Sequence, residues 1–294
     1  MNFKGIVLAG GSGKRLYPVT KVTNKHFLPI YDKPLIFYSL SILLLSKIKD
    51  ILIICLDKDL KNYKDLLGDG SRFGISLSYK TQNKPRGIPD AFIIGETFIN
   101  RSNVALVLGD NLFYGHQLTD KFLKAKLNNK NSTIFVYPVQ NPSSYGIIEL
   151  SNNKKIKSIR EKPKKTKSNL AISGFYLFDN NVSTLAKKLK PSKRNETEIV
   201  DLINIYSKKK KLKIEYLGRG SAWLDTGTFE NLEKASSFIR NIEERQGLKV
   251  ACLEEIALKN KWIKKIDIKK SIKFYGNCNY SSYLKKLIKK NENN

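Results

Sequence analysis

Apolar residues in this chain follow two rhythms, and the change between them falls near Pro138. Before it, short unbroken apolar runs at Phe3–Ala9, Ile51–Leu56 and Val104–Leu108 predict strands buried on both faces, as parallel sheets require. Ser76–Lys80 and Ser132–Pro138 read as two further strands. Between them, helical patterns cover Leu35–Lys47, Leu60–Leu67, Pro89–Phe98 and His116–Asn128. Pro34 suits the first turn of the first helix, which is apolar almost all round and is therefore predicted to be buried. Repeated βα units of this length imply a doubly wound sheet with right-handed crossovers.

Beyond Pro138 the runs shorten. Tyr145–Leu150, Ile156–Arg160, Ala171–Phe178 and Lys213–Leu217 read as strands, and Val182–Lys190 and Glu196–Lys208 as helices. Thr228 suits the N-cap of a long helix to Glu243. From Leu248 the pattern is helical and Lys-rich. The predicted fold is α/β: a doubly wound, Rossmann-like mixed sheet with flanking helices, a substrate-binding insertion and a helical C-terminal segment. Residues 1–247 form the α/β domain, its nucleotide-binding part at about 1–138 and its second part at about 139–227. Residues 248–294 form the C-terminal segment.

Composition changes this picture in three ways. A hydrophobic fraction of 41% over 294 residues supplies a core and excludes global disorder. No run approaches the ~18 apolar residues of a membrane span, Lys4 interrupts the first apolar run where a signal peptide needs continuity, and Cys55, Cys252 and Cys278 form no C-x-x-C pair. A reducing, cytoplasmic compartment is expected. The net charge of +28 suggests a nucleic-acid or membrane partner, yet 45 of the 54 basic residues are Lys. Nucleic-acid readers depend on the bidentate Arg fork, so no such partner is expected. Much of the excess lies in the run Lys208–Lys211 and in the C-terminal segment, which suits solvated faces.

Candidate chemistry begins where the first strand ends, in Leu8-Ala9-Gly10-Gly11-Ser12-Gly13-Lys14-Arg15-Leu16. Glycines let backbone N–H groups approach phosphate oxygens, and Lys14 with Arg15 makes the loop a cationic cradle. The loop is neither a Walker A sequence nor a dinucleotide fingerprint, because Arg15 and Leu16 stand where those patterns need Ser/Thr and Gly. A second signal is Leu106-Val107-Leu108-Gly109-Asp110-Asn111, an apolar strand delivering a carboxylate to the carboxyl edge of a sheet. Such an acid is either a Mg²⁺ ligand or the cap of the next turn. Trp223-Leu224-Asp225-Thr226-Gly227 repeats the device. Lys25 precedes an apolar stretch that would pin it, although on its own residues it reads equally as a solvated loop lysine. With only His26 and His116 present, and His116 at a helix start, histidine chemistry is nearly excluded. Positioning and electrostatics remain, the means by which phosphoryl-type transfers are catalysed.

These motifs, in this order, together with Tyr145-Gly146, Glu161-Lys162-Pro163 and the run from Ile242 to Cys252, resemble the sugar-phosphate nucleotidylyltransferases over nearly the whole chain. The similarity is greatest to the bacterial glucose-1-phosphate thymidylyltransferase branch. The resemblance implies Mg²⁺-dependent transfer of a nucleotidyl group from dTTP to glucose 1-phosphate, giving dTDP-glucose and pyrophosphate, and a homotetramer. It implies that Leu8, Gly10, Gly11, Ser12, Gly13, Lys14, Arg15 and Lys25 hold the triphosphate, and that Gln82 and Gly87 read the base. Asp110 and Asp225 are the implied metal ligands. Asn111, Tyr145, Gly146, Glu161, Lys162, Ile172, Tyr176 and Arg194 form the implied sugar-phosphate pocket, the second part of the domain being a sugar-binding insertion. Arg15, Lys25, Asp110, Lys162 and Asp225 carry catalysis. Where the family commonly has P-D-G-L-A-Q-A, this chain reads Pro85-Arg86-Gly87-Ile88-Pro89-Asp90-Ala91, which opens UTP as an alternative to dTTP. The remaining alternative, a basic nucleic-acid-binding protein, rests on the charge alone.

Overall fold

The computed structural model describes residues 2–290; the last four positions of the predicted C-terminal segment, and Met1, lie outside the described residues. Strands β1 (Phe3–Ala9), β4 (Asp50–Leu56), β5 (Ser76–Gln82) and β6 (Asn103–Leu108) form the parallel part of one mixed sheet, and β2 (Pro29–Ile30) and β3 (Lys33–Pro34) make a small ribbon beside it. The sheet continues through β8 (Ser132–Pro138), β9 (Gly146–Leu150), β10 (Ile156–Glu161), β11 (Leu170–Phe178) and β12 (Leu212–Tyr216), in the path β10-β9-β11-β6-β1-β4-β5 with β8 joining β11 to β12. Strand β11 runs antiparallel to β6, β8 and β9, so the two halves of the chain share one sheet. Four strands were not legible in the sequence: β2 and β3, and also β7 (Asn111–Gly115) and β13 (Ser221–Asp225), the last two pairing with each other outside the main sheet. β7 and β13 hold only three apolar residues each, Leu112–Tyr114 and Ala222–Leu224, too short a run to show the buried-strand pattern.

The inner parallel strands β1, β4 and β6 are largely apolar because both faces are covered, whereas the edge strand β5 is mostly polar. Val7 and Ile53 point to one face, where the buried helix α1 (Leu35–Leu45) and the C-terminal helices pack; Ile6, Leu52 and Ile54 point to the other. Helices α3 (Asp90–Ile94) and α4 (Glu96–Ile99), the latter set off from α3 by Gly95, cover that second face with α6 (Val182–Ala186) and α7 (Ile199–Lys208). The single helix expected over Pro89–Phe98 is divided at Gly95, whose ψ of 0° departs from the helical value and where a Cβ would sit 2.9 Å from the Ile6 side chain. Helices α2 (Leu60–Leu67) and α5 (Leu118–Leu127) follow the expected positions. The helix expected from Glu196 begins at Ile199, leaving Glu196 and Thr197 in a loop. The long helix α8 (Phe229–Gln246) is capped by Thr228 Oγ1, which accepts from Asn231 N at 3.3 Å. Helices α9 (Leu253–Lys259), α10 (Lys265–Tyr275) and α11 (Asn279–Lys290) close the chain. Pro34 is the N-cap of α1 rather than its first residue.

Candidate active site

The carboxyl ends of β1, β5 and β6 lie in register, so three loops leave one edge of the sheet together: Leu8 pairs with Leu108, and Leu56 with Gln82. A cavity of about 1330 Å³, counting its open mouth, begins there and extends over β9, β10 and β11. Without the open mouth the enclosed space is about 320 Å³, within the ~300–1,000 Å³ of a small-ligand site.

On the β1 side, Leu8, Gly11, Arg15, Lys25, Gln82 and Gly87 line the cavity. Gly10 lies beneath Gln82, whose Nε2 donates to the Gly10 carbonyl at 3.1 Å. Gly13 adopts a left-handed φ of +63°, and Thr20 Oγ1 donates to its carbonyl at 2.7 Å. Ser12 and Lys14 are exposed and do not line the cavity. The Arg15 guanidinium lies against Gly227, where a Cβ would sit 3.0 Å from Nη2.

Asp110 and Asp225 meet because Asp225 is paired with Asn111 across the β7–β13 ladder. Thr226 fixes the approach, its N and Oγ1 donating to the Asp110 carbonyl at 3.2 and 2.9 Å. Lys25 is ion-paired with Asp110 Oδ2, and Asn111 Nδ2 donates to Oδ1 at 2.9 Å. Burial disfavours charge on Asp110, but Lys25 outweighs it and holds the carboxyl well below the usual range. Asp225 has no such partner: burial first, and the Asp110 charge second, push its carboxyl up to about 6. Two carboxyls crowded together with one of them poorly compensated is an oxygen-only donor set suited to a hard divalent cation. Among the described residues no group of three or more His, Cys, Asp or Glu could hold a metal ion.

On the other side, Asn111, Tyr145, Gly146, Glu161, Lys162, Ile172, Tyr176 and Arg194 line the same cavity. Asn111 Oδ1 accepts from Gly174 N at 3.1 Å and Trp223 Nε1 at 2.5 Å, which locks its side chain. Lys162 takes a left-handed φ of +41° as the chain leaves β10, an unusual conformation for a residue with a Cβ and one that accumulates at functional sites. Glu161 accepts from Arg194 at 3.4 Å, and burial followed by the Glu198 charge raises its carboxyl. Gly146 leaves the space between Glu161 and Val200, where a Cβ would lie 2.9 Å from Val200 Cγ2.

The structure adds Gly174 and Glu198, which the sequence did not single out, and gives Trp223 and His26 places in the cavity wall that their motifs did not assign. His26 is 1% exposed, and burial, then Lys25, lowers its imidazole to about 3, so it is neutral. Asn24 accepts from His26 N at 3.0 Å with Oδ1 and donates to Asp59 with Nδ2 at 2.6 Å. Its Oδ1 is therefore fixed facing His26 Nδ1, 2.6 Å away, which places the ring proton on Nδ1.

The sequence pattern of the nucleotidyl transferase family matches residues 4–242, and the chain belongs to that family. More particularly, it is 48% identical to the glucose-1-phosphate thymidylyltransferase of Neisseria meningitidis over 287 residues, 98% of this chain and 100% of the relative. It is 44% identical to that of Mycobacterium tuberculosis over 288 residues, with the same coverage. A solved structure from Bacillus anthracis, described as a glucose-1-phosphate thymidylyltransferase with sucrose, matches with a TM-score of 0.75 at 38% identity, over 81% of this chain and 96% of that one. A UDP-glucose pyrophosphorylase bound to UDP-glucose matches with a TM-score of 0.72 at 26% identity, over 82% of this chain and 100% of the other. The mixed α/β architecture is common to them. Among the described residues no helix is long and apolar enough to cross a membrane.

Proposed function

We propose that the protein transfers a thymidylyl group from dTTP to glucose 1-phosphate, releasing pyrophosphate and forming dTDP-glucose. The observation that carries this reading is the meeting, in one cavity, of the Gly-rich loop with Arg15 and Lys25, the Asp110–Asp225 pair, and the Glu161–Lys162–Arg194 group. The relatives carrying that name, 44–48% identical over nearly the whole chain, support the choice of base and sugar.

A phosphate oxygen of the sugar phosphate attacks the α-phosphorus in line, the bond to the bridging oxygen breaks, and the electron pair leaves with pyrophosphate. The nucleophile is already an anion, so no strong base is needed, in keeping with a cavity whose one histidine is buried and neutral. The obstacle is repulsion between two polyanions. Arg15 and Lys25 neutralise the triphosphate, and Lys162 with Arg194 holds the sugar phosphate, fixing distance and direction of attack. Mg²⁺ held by Asp110 and Asp225 would neutralise phosphate charge as a Lewis acid. Lys25 is shared between Asp110 and the incoming phosphates. Gln82 reads the edge of the base and Gly87 lies under it, while Glu161 accepts sugar hydroxyls. We place the reaction in the cytoplasm and the working enzyme in a homotetramer.

The test is pyrophosphate release across a grid of triphosphates and sugar 1-phosphates with Mg²⁺. Release with dTTP and glucose 1-phosphate is expected; none with any pyrimidine triphosphate overturns the proposal. The solved relative with UDP-glucose makes a uridylyltransferase the second reading. The extra methyl of thymine is worth only ~1 kcal/mol of burial, so competition at equal dTTP and UTP separates the two.

A further inference from the structure

Two loops that both line the cavity are tied together at one point. The first, residues 83–89, follows Gln82 and carries Gly87; residues 83–86 are exposed. The second, residues 191–198, carries Arg194. The Arg86 carbonyl accepts twice from the second loop, from Thr197 N at 2.8 Å and from Thr197 Oγ1 at 3.0 Å. Next to it, Gly87 has a φ of +110°, and a Cβ there would lie 2.0 Å from the Thr197 carbonyl oxygen. The two backbones therefore touch with no side chain between them, which only glycine in this conformation permits.

The second loop is itself knitted into a unit. Ser192 N donates to the Glu196 carbonyl at 2.8 Å, Ser192 Oγ donates to Glu198 Oε1 at 2.7 Å, and Arg194 N donates to Ser192 Oγ at 3.1 Å. A displacement of Thr197 is thus passed to Arg194 rather than absorbed between them. Most residues at 197 would supply the N–H bond; the hydroxyl is the contribution of this side chain, and it doubles the tie at an otherwise exposed stretch.

We propose that the Thr197–Arg86 clasp couples the two substrate subsites, with Thr197 as a positioning residue that lets an occupied base subsite fix Arg194 for the sugar phosphate. This rests on the nucleotidyl-transfer reading above. Thr197→Val keeps size and branching and removes one neutral hydrogen bond, so a change of about threefold to tenfold is expected. The KM for dTTP and the KM for glucose 1-phosphate, each measured at saturating co-substrate, should both rise by that factor with kcat within about twofold, and Thr197→Ser should restore both. A purely structural tie would instead lower the melting midpoint and leave both KM values alone. That outcome, or a rise in one KM only, overturns the proposal.

Hydrogen exchange separates its failure from that of the function. Magnesium–dTTP without any sugar phosphate should slow exchange in residues 83–88 and in residues 192–198 of the wild type, but only in residues 83–88 of Thr197→Val. If the wild type releases no pyrophosphate, the functional reading fails on its own account. Protection confined to residues 83–88 in the wild type removes the coupling whether or not turnover is seen.

Discussion

The carboxamide of Gln82 occupies the space that a side chain on Gly10 would fill: Nε2 donates to the Gly10 carbonyl at 3.1 Å, and a Cβ on Gly10 would lie 2.1 Å from that nitrogen. The glycine is thus needed for the neighbour it accommodates, with its own φ outside the left-handed set. Gly10→Ala should swing Gln82 away from the base subsite. The expected outcome is a rise of about tenfold in the KM for dTTP, the loss of one or two hydrogen bonds, with the KM for glucose 1-phosphate little changed. Equal rises in both would show that the damage spreads beyond the base.

Asp110 and Asp225 should respond oppositely to amide substitution in metal-free protein. Asp225 is the carboxyl pushed up to about 6, so at pH 7.5 its charge opposes folding, and Asp225→Asn should raise the melting midpoint. Asp110→Asn should lower it, because Lys25 loses its ion pair. Both should cut kcat/KM by about 100-fold or more, as expected when charge stabilisation is removed. Differential scanning with and without Mg²⁺, beside the rate assay, checks the pair; full activity in both variants would dismiss these residues as ligands.

His26 makes the fold acid-sensitive. Its imidazole is lowered to about 3 in the folded chain against an ordinary value near 6.5, so the unfolded chain binds the extra proton between those limits. Stability attributable to this group is intact above about pH 6.5 and is lost as pH falls toward 3, by up to about 1.4 kcal/mol per unit. Denaturant titrations at several pH values should give a shallower acid limb for His26→Gln. A parallel limb would place the sensitivity elsewhere.

Lys33 is the most deeply buried cation described in the chain's ion pairs, with a side chain 2% exposed. Glu243 on α8 accepts from it at 2.9 Å and also from Val250 N at 2.8 Å, holding α8 to the β2–β3 ribbon. Glu243→Gln leaves Lys33 with Asp32 and the Tyr38 hydroxyl and should cost about 2 kcal/mol in urea unfolding, the order of one buried hydrogen bond to a charged group. Little effect is expected on either KM.

How much of this was legible along the chain varies with the range of the interaction. Strand β1, helix α1 and strand β6 were readable because a segment buried on both faces or all round must be apolar at nearly every position. Strands β7 and β13 were not, because they exist through pairing with each other, Asn111 with Asp225 and Gly115 with Ser221, over more than a hundred intervening residues, and pairing leaves no local pattern. Helix α7 was placed too early because Glu196 and Thr197 suit a helix in isolation, while Thr197 is held out of it by Arg86.

The sequence by itself determined the chemical inventory: a Gly-rich cationic loop, two acids at strand ends, cations without usable histidine, and their order along the chain. Most of the large positive charge was likewise assigned from sequence to solvated faces, and Lys208–Lys211 are exposed. Only the tertiary structure decided which of those groups meet. It brought Asp225 beside Asp110, gave Lys25 rather than Lys14 a place in the cavity, put Gln82 over Gly10, and closed Thr197 onto Arg86. The physical reason is that composition and periodicity are set within a few residues, whereas distances, burial and the resulting charge states arise where distant segments pack.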